Sequence, residues 1–185
     1  GRLAAAVLAL WEGRTDTDGL NRLVTAAGMA WDDVAVLRAF RRYRHQIDHR
    51  YADAYVDQVI VDHTDIARGV VDLFHARFDP NRGDPALVEA IAHDVDRACD
   101  AVARLDHDRI LRGLVGTVEA TVRTNRVERP EGPLALKLDP ARVPDVPDPV
   151  PYREVFVHGG NRGGVPLRAR PGAPGNVPSP PYGLF

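Results

Sequence analysis

Apolar residues recur with a helical period along most of this chain, and the pattern breaks off near Gly159. Leu3 to about Arg14 reads as a first helix, closed by Gly13 and the polar run TDTDG. Leu20, Leu23, Val24 and Ala27 share one face of a short second helix, which Gly28 is placed to end. Asp32 is the expected N-cap of a third, with Asp33 in its first turn. There Val36, Leu37, Phe40, Tyr43 and Ile47 form an apolar stripe, while Arg38, Arg41, Arg42 and Arg44 take the remaining surface. Tyr51 to Val61 continues helically. Thr64 and Asp65 open the next helix, with Ile66, Val70, Leu73, Phe74 and Phe78 at a 3.6-residue spacing.

Asp79 to Gly83 has the composition of a turn. Asp84 before Pro85 predicts a capped start, since proline fits where no backbone donor is needed. That helix carries Val88, Ile91, Val95, Cys99 and Val102 on one face. A last long helix opens at Asp106 and turns Ile110, Leu111, Leu114, Val118 and Val122 inward, with Gly113 and Gly116 permitting close packing. Beyond the breaker RPEGP, Leu134 to Leu138 alternates as a strand. Asp139 to Pro151 holds five prolines and reads as an extended connector, and Glu154 to His158 as a second strand.

The predicted fold is mainly α: a helical array or bundle, then one or two short strands and an irregular Gly/Pro-rich tail. It divides into a helical domain (1–128), a Pro-rich connector with a short strand (129–152) and a strand opening a further domain (153–158). Residues 159–185 are a tail expected to be disordered or aberrant. That tail has few large apolar side chains to offset its ordering and no acidic residue after Glu154. With no Met at position 1, the chain reads as a piece cut at both ends, and the tail as an out-of-frame stretch of a GC-rich gene.

A hydrophobic content of 44% suffices for a core. The net charge of −2 offers no electrostatic case for nucleic acid or an anionic membrane. LAAAVLALW falls far short of the ~20 residues a membrane span requires. The single cysteine excludes an internal disulfide framework and agrees with a cytoplasmic setting. His45 and His49 have metal-ligand spacing on a helix, but Gln46 stands where a zinc protease carries its glutamate and no further ligand is evident. No metal site is expected, and a metal hydrolase rests on those two histidines alone. Cys99 reads as a small buried hydrophobe. The run RAFRRYRHQ suits intramolecular pairing better than a phosphate or nucleic-acid patch. Gly159 to Gly164 follows a strand but lacks the lysine, the spacing and the helix of a phosphate loop.

Four blocks resemble one family: LNRLVTAAGMAWDDVAVLRAFRRYRHQ (Leu20 to Gln46), DHTDIARGVVDLFHARFDP (Asp62 to Pro80), LDHDRILRGLVGTVEATVRTN (Leu105 to Asn125) and LALKLDPARVPDVPDPVPYREVFVHG (Leu134 to Gly159). The family is the large-type, NAD-specific glutamate dehydrogenases of bacteria. The resemblance implies the helical region ahead of the catalytic domain, with that domain's first strand. It implies a parent enzyme that deaminates L-glutamate oxidatively to 2-oxoglutarate and ammonia, passing hydride to NAD, with a lysine assisting attack by water. Residues 1–185 contain neither the lysine-bearing stretch nor a Rossmann domain, and the likeness is expected to fail near Gly159. No catalytic, cofactor-binding or metal residue is therefore assigned, and NAD is expected to bind the parent enzyme only. Arg123, Asn125 and Lys137 fall within matching blocks and are expected to pack the helical layer against the catalytic domain. Expected partners are the remainder of the parent enzyme and further copies of the full-length chain, with no nucleic acid and no membrane. The alternative is a stand-alone helical interaction module without catalytic activity.

Overall fold

The structure, a computed structural model, describes residues 1–130, 132–159, 162–169 and 177–178; in the last two stretches it describes the backbone, and the side chain of Leu167 alone. Helices come first: α1 (Arg2–Trp11), a 3-10 turn (Gly19–Arg22) running into α2 (Leu23–Ala26), α3 (Trp31–His45), α4 (Asp53–Asp62), α5 (Thr64–Phe78), α6 (Pro85–Asp100) and α7 (Leu105–Ala120). Strands β1 (Thr121–Thr124), β2 (Leu134–Leu138), β3 (Arg153–Gly159), β4 (Arg162–Ala169) and β5 (Val177–Pro178) then form an antiparallel sheet in sequence order. The mainly helical array followed by short strands is the architecture the periodicity predicts.

Local chemistry accounts for most boundaries. Gly28 ends α2 with a φ of 61°, where a side chain would be strained. The Asp84 carboxylate accepts from the Ala86 N–H at 3.0 Å and Pro85 begins α6, as predicted. Asp32 does not cap α3. The cap is Ala30, in extended conformation and without a side-chain bond, and Asp32 and Asp33 lie in the first turn. There they complement the helix dipole and pair outward, Asp32 with Arg126 at 2.8 Å and Asp33 with His75 at 2.8 Å. Helix α7 stops at Ala120, so Val122 lies on β1 and is exposed rather than facing inward. The turn out of the helix is fixed by the Thr121 hydroxyl donating to the Thr117 carbonyl, and by Asp139 N–H donating to the Ala120 carbonyl.

One hydrophobic core joins the two layers. Leu134, Leu136 and Leu138 on β2 face the helices, opposite His158, Phe156 and Glu154 on β3. Phe156 meets the Tyr43 ring edge-on at 5.4 Å, and Phe40 meets Phe74 similarly at 5.6 Å. β4 occupies residues that the Gly/Pro texture had left in the irregular tail. Strand pairing draws on backbone groups, and Leu167 stands opposite Val155 across the ladder. Residues 160–161, 170–176 and 179–185 of that expected tail lie outside the described residues.

Gly116 sets the approach of the connector to α7. A Cβ there would sit 2.5 Å from Pro144 Cγ and 2.8 Å from Cδ, atoms of a ring that cannot rotate aside. Gly116→Ala is therefore expected to destabilise by about 1–3 kcal/mol through overpacking, despite alanine's ~1 kcal/mol helix preference. Urea denaturation reads this, and an unchanged midpoint would mean the Pro144 segment yields freely.

Candidate functional site

Helix α3 carries the charged centre of the molecule. Arg38, which the periodicity leaves on the surface, is 1% exposed, and Arg41 is buried as well. The Arg38 guanidinium donates through Nε and Nη2 to Asp18 at 2.6 and 2.9 Å, through Nη1 to Thr15 at 2.8 Å, and through Nη2 to Asn21 at 2.8 Å. Arg41 pairs with Asp18 at 3.0 Å, Asp53 at 2.6 Å and Asp57 at 3.1 Å. Arg42 pairs with Asp16 at 2.9 Å, and Arg44 donates to the Pro144 carbonyl. The arginine run is thus paired within the chain, as expected, but two of its members do so in the interior. Asp18, which both share, lies in the TDTDG loop with Thr15, while Asp53 and Asp57 come from α4 and Asn21 from the 3-10 turn.

The carboxylates of this cluster are driven apart. Burial pushes Asp57 up to about 6 despite Arg41, and Asp18 and Asp53 add like-charge repulsion. Burial also opposes ionisation of Asp18, but the bonds from Arg38 and the charge of Arg41 hold it below the usual range. Asp57 binds its proton more tightly in the fold than in the unfolded chain, so it favours folding at low pH and loses that contribution as pH rises through about 6. Asp18 acts oppositely, its contribution being lost as pH falls below the ordinary carboxylate range. Asp57→Asn keeps an acceptor for the Gly19 N–H, which the carboxylate takes at 3.1 Å. The variant is expected to gain stability relative to the parent between pH 4 and 7, titrated by thermal melts. A stability difference independent of pH would refute the assignment to Asp57.

Beside this cluster, a cleft of about 250 Å³ lies between the start of α3 and the β2–β3 edge. Its walls include Arg14, Asp16, Trp31, Arg126, Leu134 and His158. Arg14 lies over the Trp31 ring at 4.9 Å, and Arg126 is held by Asp32. His158 is buried, which pushes its imidazole down to about 4 with the help of nearby Arg42, so it is neutral at pH 7. Its Nδ1 has no hydrogen-bond partner among the described residues. The carboxylates of this cleft are paired, Asp16 with Arg42 on α3 and Asp32 with Arg126 from the β1–β2 turn.

The residues singled out earlier do not converge. His45 ends α3 and pairs with Asp53 at 3.2 Å, while His49 lies beyond the helix with its ring 5.0 Å away, so the two do not share a helical face. No group of metal-ligating side chains occurs among the described residues. No described helix is long and apolar enough to cross a membrane. Cys99 is buried at the α6–α7 contact and its thiol is pushed up to about 11 by burial. It is expected to resist iodoacetamide in the native state and to react in denaturant; fast native labelling would contradict that burial. Lys137 is exposed on the sheet face away from the helices, opposite Arg123. Asn125, expected to pack the helical layer against the catalytic domain, clamps the β1–β2 turn: its Nδ2 donates to the Pro133 carbonyl at 2.9 Å and its Oδ1 accepts from Ala135 N–H at 2.8 Å.

Comparison with known proteins adds what geometry alone does not. Residues 15–80 match the family profile described as glutamate dehydrogenase, helical motif 3. Residues 94–178 match the one described as bacterial NAD-glutamate dehydrogenase, catalytic domain. That second match runs past Gly159, which overturns the expected loss of likeness there and leaves the out-of-frame reading without support through residue 178. Similar curated proteins are the NAD-specific glutamate dehydrogenases of Mycobacterium tuberculosis (39% identical over 95% of this chain), Halomonas elongata (36% over 91%) and Pseudomonas aeruginosa (36% over 90%). The chain spans 11% of the length of each of these relatives.

Proposed function

This chain resembles the bacterial NAD-specific glutamate dehydrogenases in both its helical layer and its sheet, and from that premise we propose that it is a scaffold part of such an enzyme. The parent activity is oxidative deamination of L-glutamate to 2-oxoglutarate and ammonia, with hydride passed to NAD. The part described here supports the first strands of the catalytic domain on a helical base; it supplies neither nicotinamide site nor catalytic lysine. The parent works in the cytoplasm as a homo-oligomer, and this part touches the rest of its own polypeptide rather than nucleic acid or membrane.

One observation supports the scaffold role above others. The buried Tyr43 hydroxyl on α3 donates to Glu154 Oε2 on β3 at 2.8 Å, across 111 residues of sequence. A buried carboxyl needs such partners to be tolerated at all, so the helical layer and the sheet are matched to one another. The test is glutamate-dependent NADH formation by the complete product of the source gene and by residues 1–185 alone, with calorimetry for NAD. Activity is expected in the first, and neither activity nor saturable NAD binding in the second. An inactive complete product would sink the reading, and activity in residues 1–185 would overturn the scaffold role.

A second reading, a stand-alone helical interaction module, draws on the exposed apolar residues of α1. It expects a complete gene product without dehydrogenase activity.

A further inference from the structure

Helix α1 is inside out for a surface helix. Its buried residues are Ala6 and Ala9, whereas Leu3, Val7, Leu8 and Trp11 are 58%, 57%, 52% and 88% exposed. A surface helix ordinarily turns its large apolar side chains to the core and its polar ones to water. Here alanines, with half-buried Leu10, let α1 sit against α2 and α3, while Leu3, Val7, Leu8 and Trp11 point away. Leu3, Val7 and Trp11 follow at i, i+4 and i+8 and so form one stripe, with Leu8 beside it. Charge does not interrupt the stripe, since Arg2 donates to the Gly28 carbonyl and Glu12 accepts from Arg14 at 2.6 Å. Four large apolar side chains exposed side by side make a patch on the order of a few hundred Å², the size class that marks an interaction site.

We propose that this stripe is the docking surface for a further helix of the same polypeptide, so that α1 is buried in the complete protein. The inference rests on the scaffold reading above, whose relatives carry most of their length outside the region matched here. Area argues against a second copy as the occupant. A stable dimer buries about 800 Å² per partner and must offset the lost freedom of two bodies. A tethered helix of the same chain escapes that second cost, so a smaller patch suffices. An anionic membrane is the poorer fit, because an interfacial helix needs basic residues along its polar face. In α1 only Arg2 is basic, and it is already engaged.

The experiment is native maleimide labelling of Val7→Cys, mapped to its peptide by mass spectrometry, in the complete gene product and in residues 1–185. Cys99 contributes little background because it is buried. The introduced thiol is expected to label roughly a hundredfold more slowly in the complete product, since a packed helix must open before reagent reaches it. Equal labelling in an active dehydrogenase would overturn the docking surface while leaving the family reading intact. Protection that grows with the concentration of residues 1–185 alone would assign the face to a second copy and overturn the intrachain occupant. Protection in a complete product that forms no NADH from glutamate would sustain the docking and remove the dehydrogenase reading.

Discussion

Replacing Arg38 by methionine is expected to destabilise the fold by about 3–5 kcal/mol. The guanidinium makes four hydrogen bonds while 1% exposed, and methionine keeps its stem but none of its donors. The expense lies in the partners left behind. Thr15 and Asn21 lose a donor, and among the described residues Asp18 keeps Arg41 and the Leu20 N–H. In a chain of this size each kcal/mol moves the melting temperature by about 2–4 °C, so a drop on the order of 10 °C is expected. Arg38→Lys does not restore the loss, because an ammonium cannot reproduce the planar fork that reaches Asp18, Thr15 and Asn21 together. Arg42→Met is the control: Arg42 is partly exposed and pairs with Asp16, and its removal should cost under ~1 kcal/mol. If thermal melts place Arg38→Met within that same range, the buried cluster does not hold the fold.

Phe156→Ala is expected to cost a similar 3–5 kcal/mol, by a different route. Phe156 is fully buried at the middle of β3, opposite Leu136 and against Tyr43. Truncation removes its apolar area from the core and leaves a cavity between sheet and helices that neither layer closes alone. The informative readout is hydrogen exchange. Leu134, Leu136, Leu138 and Phe156 share one core cluster with side chains of α3, α5 and α7. Amides of β2, β3 and α3 should therefore lose protection together, as expected of a single cooperative unit. Loss confined to the sheet would show two independently folding layers.

How much of this was legible in the sequence depended on the range of the interaction. Helices whose stripes obey one period, such as Ile66 to Phe78 on α5, were readable, because burial of a face is written locally. The Asp84–Pro85 start of α6 was readable for the same reason. Long-range partnerships were not. Arg38 and Arg42 look alike in RAFRRYRHQ, and what separates them is where Asp18 and Asp16 lie after the chain has turned back. Asp32 has the chemistry of a cap but is drawn to Arg126, far along the chain. Val122 continues the spacing of α7, and only the pairing of Thr121 with Leu138 takes it off the helix. His45 and His49 keep their helical spacing on paper, and it is the end of α3 at His45 that parts them. The outward stripe of α1 was invisible until its alanines proved to be the buried side.

The Tyr43–Glu154 bond also imposes a schedule. Its two ends are separated by 111 residues. A ribosome adds roughly 5–20 residues each second, so α3 emerges on the order of 10 s before its strand exists. During that interval the Glu154 carboxylate that accepts the Tyr43 hydrogen bond does not yet exist, and the side of α3 that will meet Phe156 faces water or a chaperone. This segment is therefore exposed to sticking for the whole of that interval, and β3, arriving late, is the element that ends the exposure.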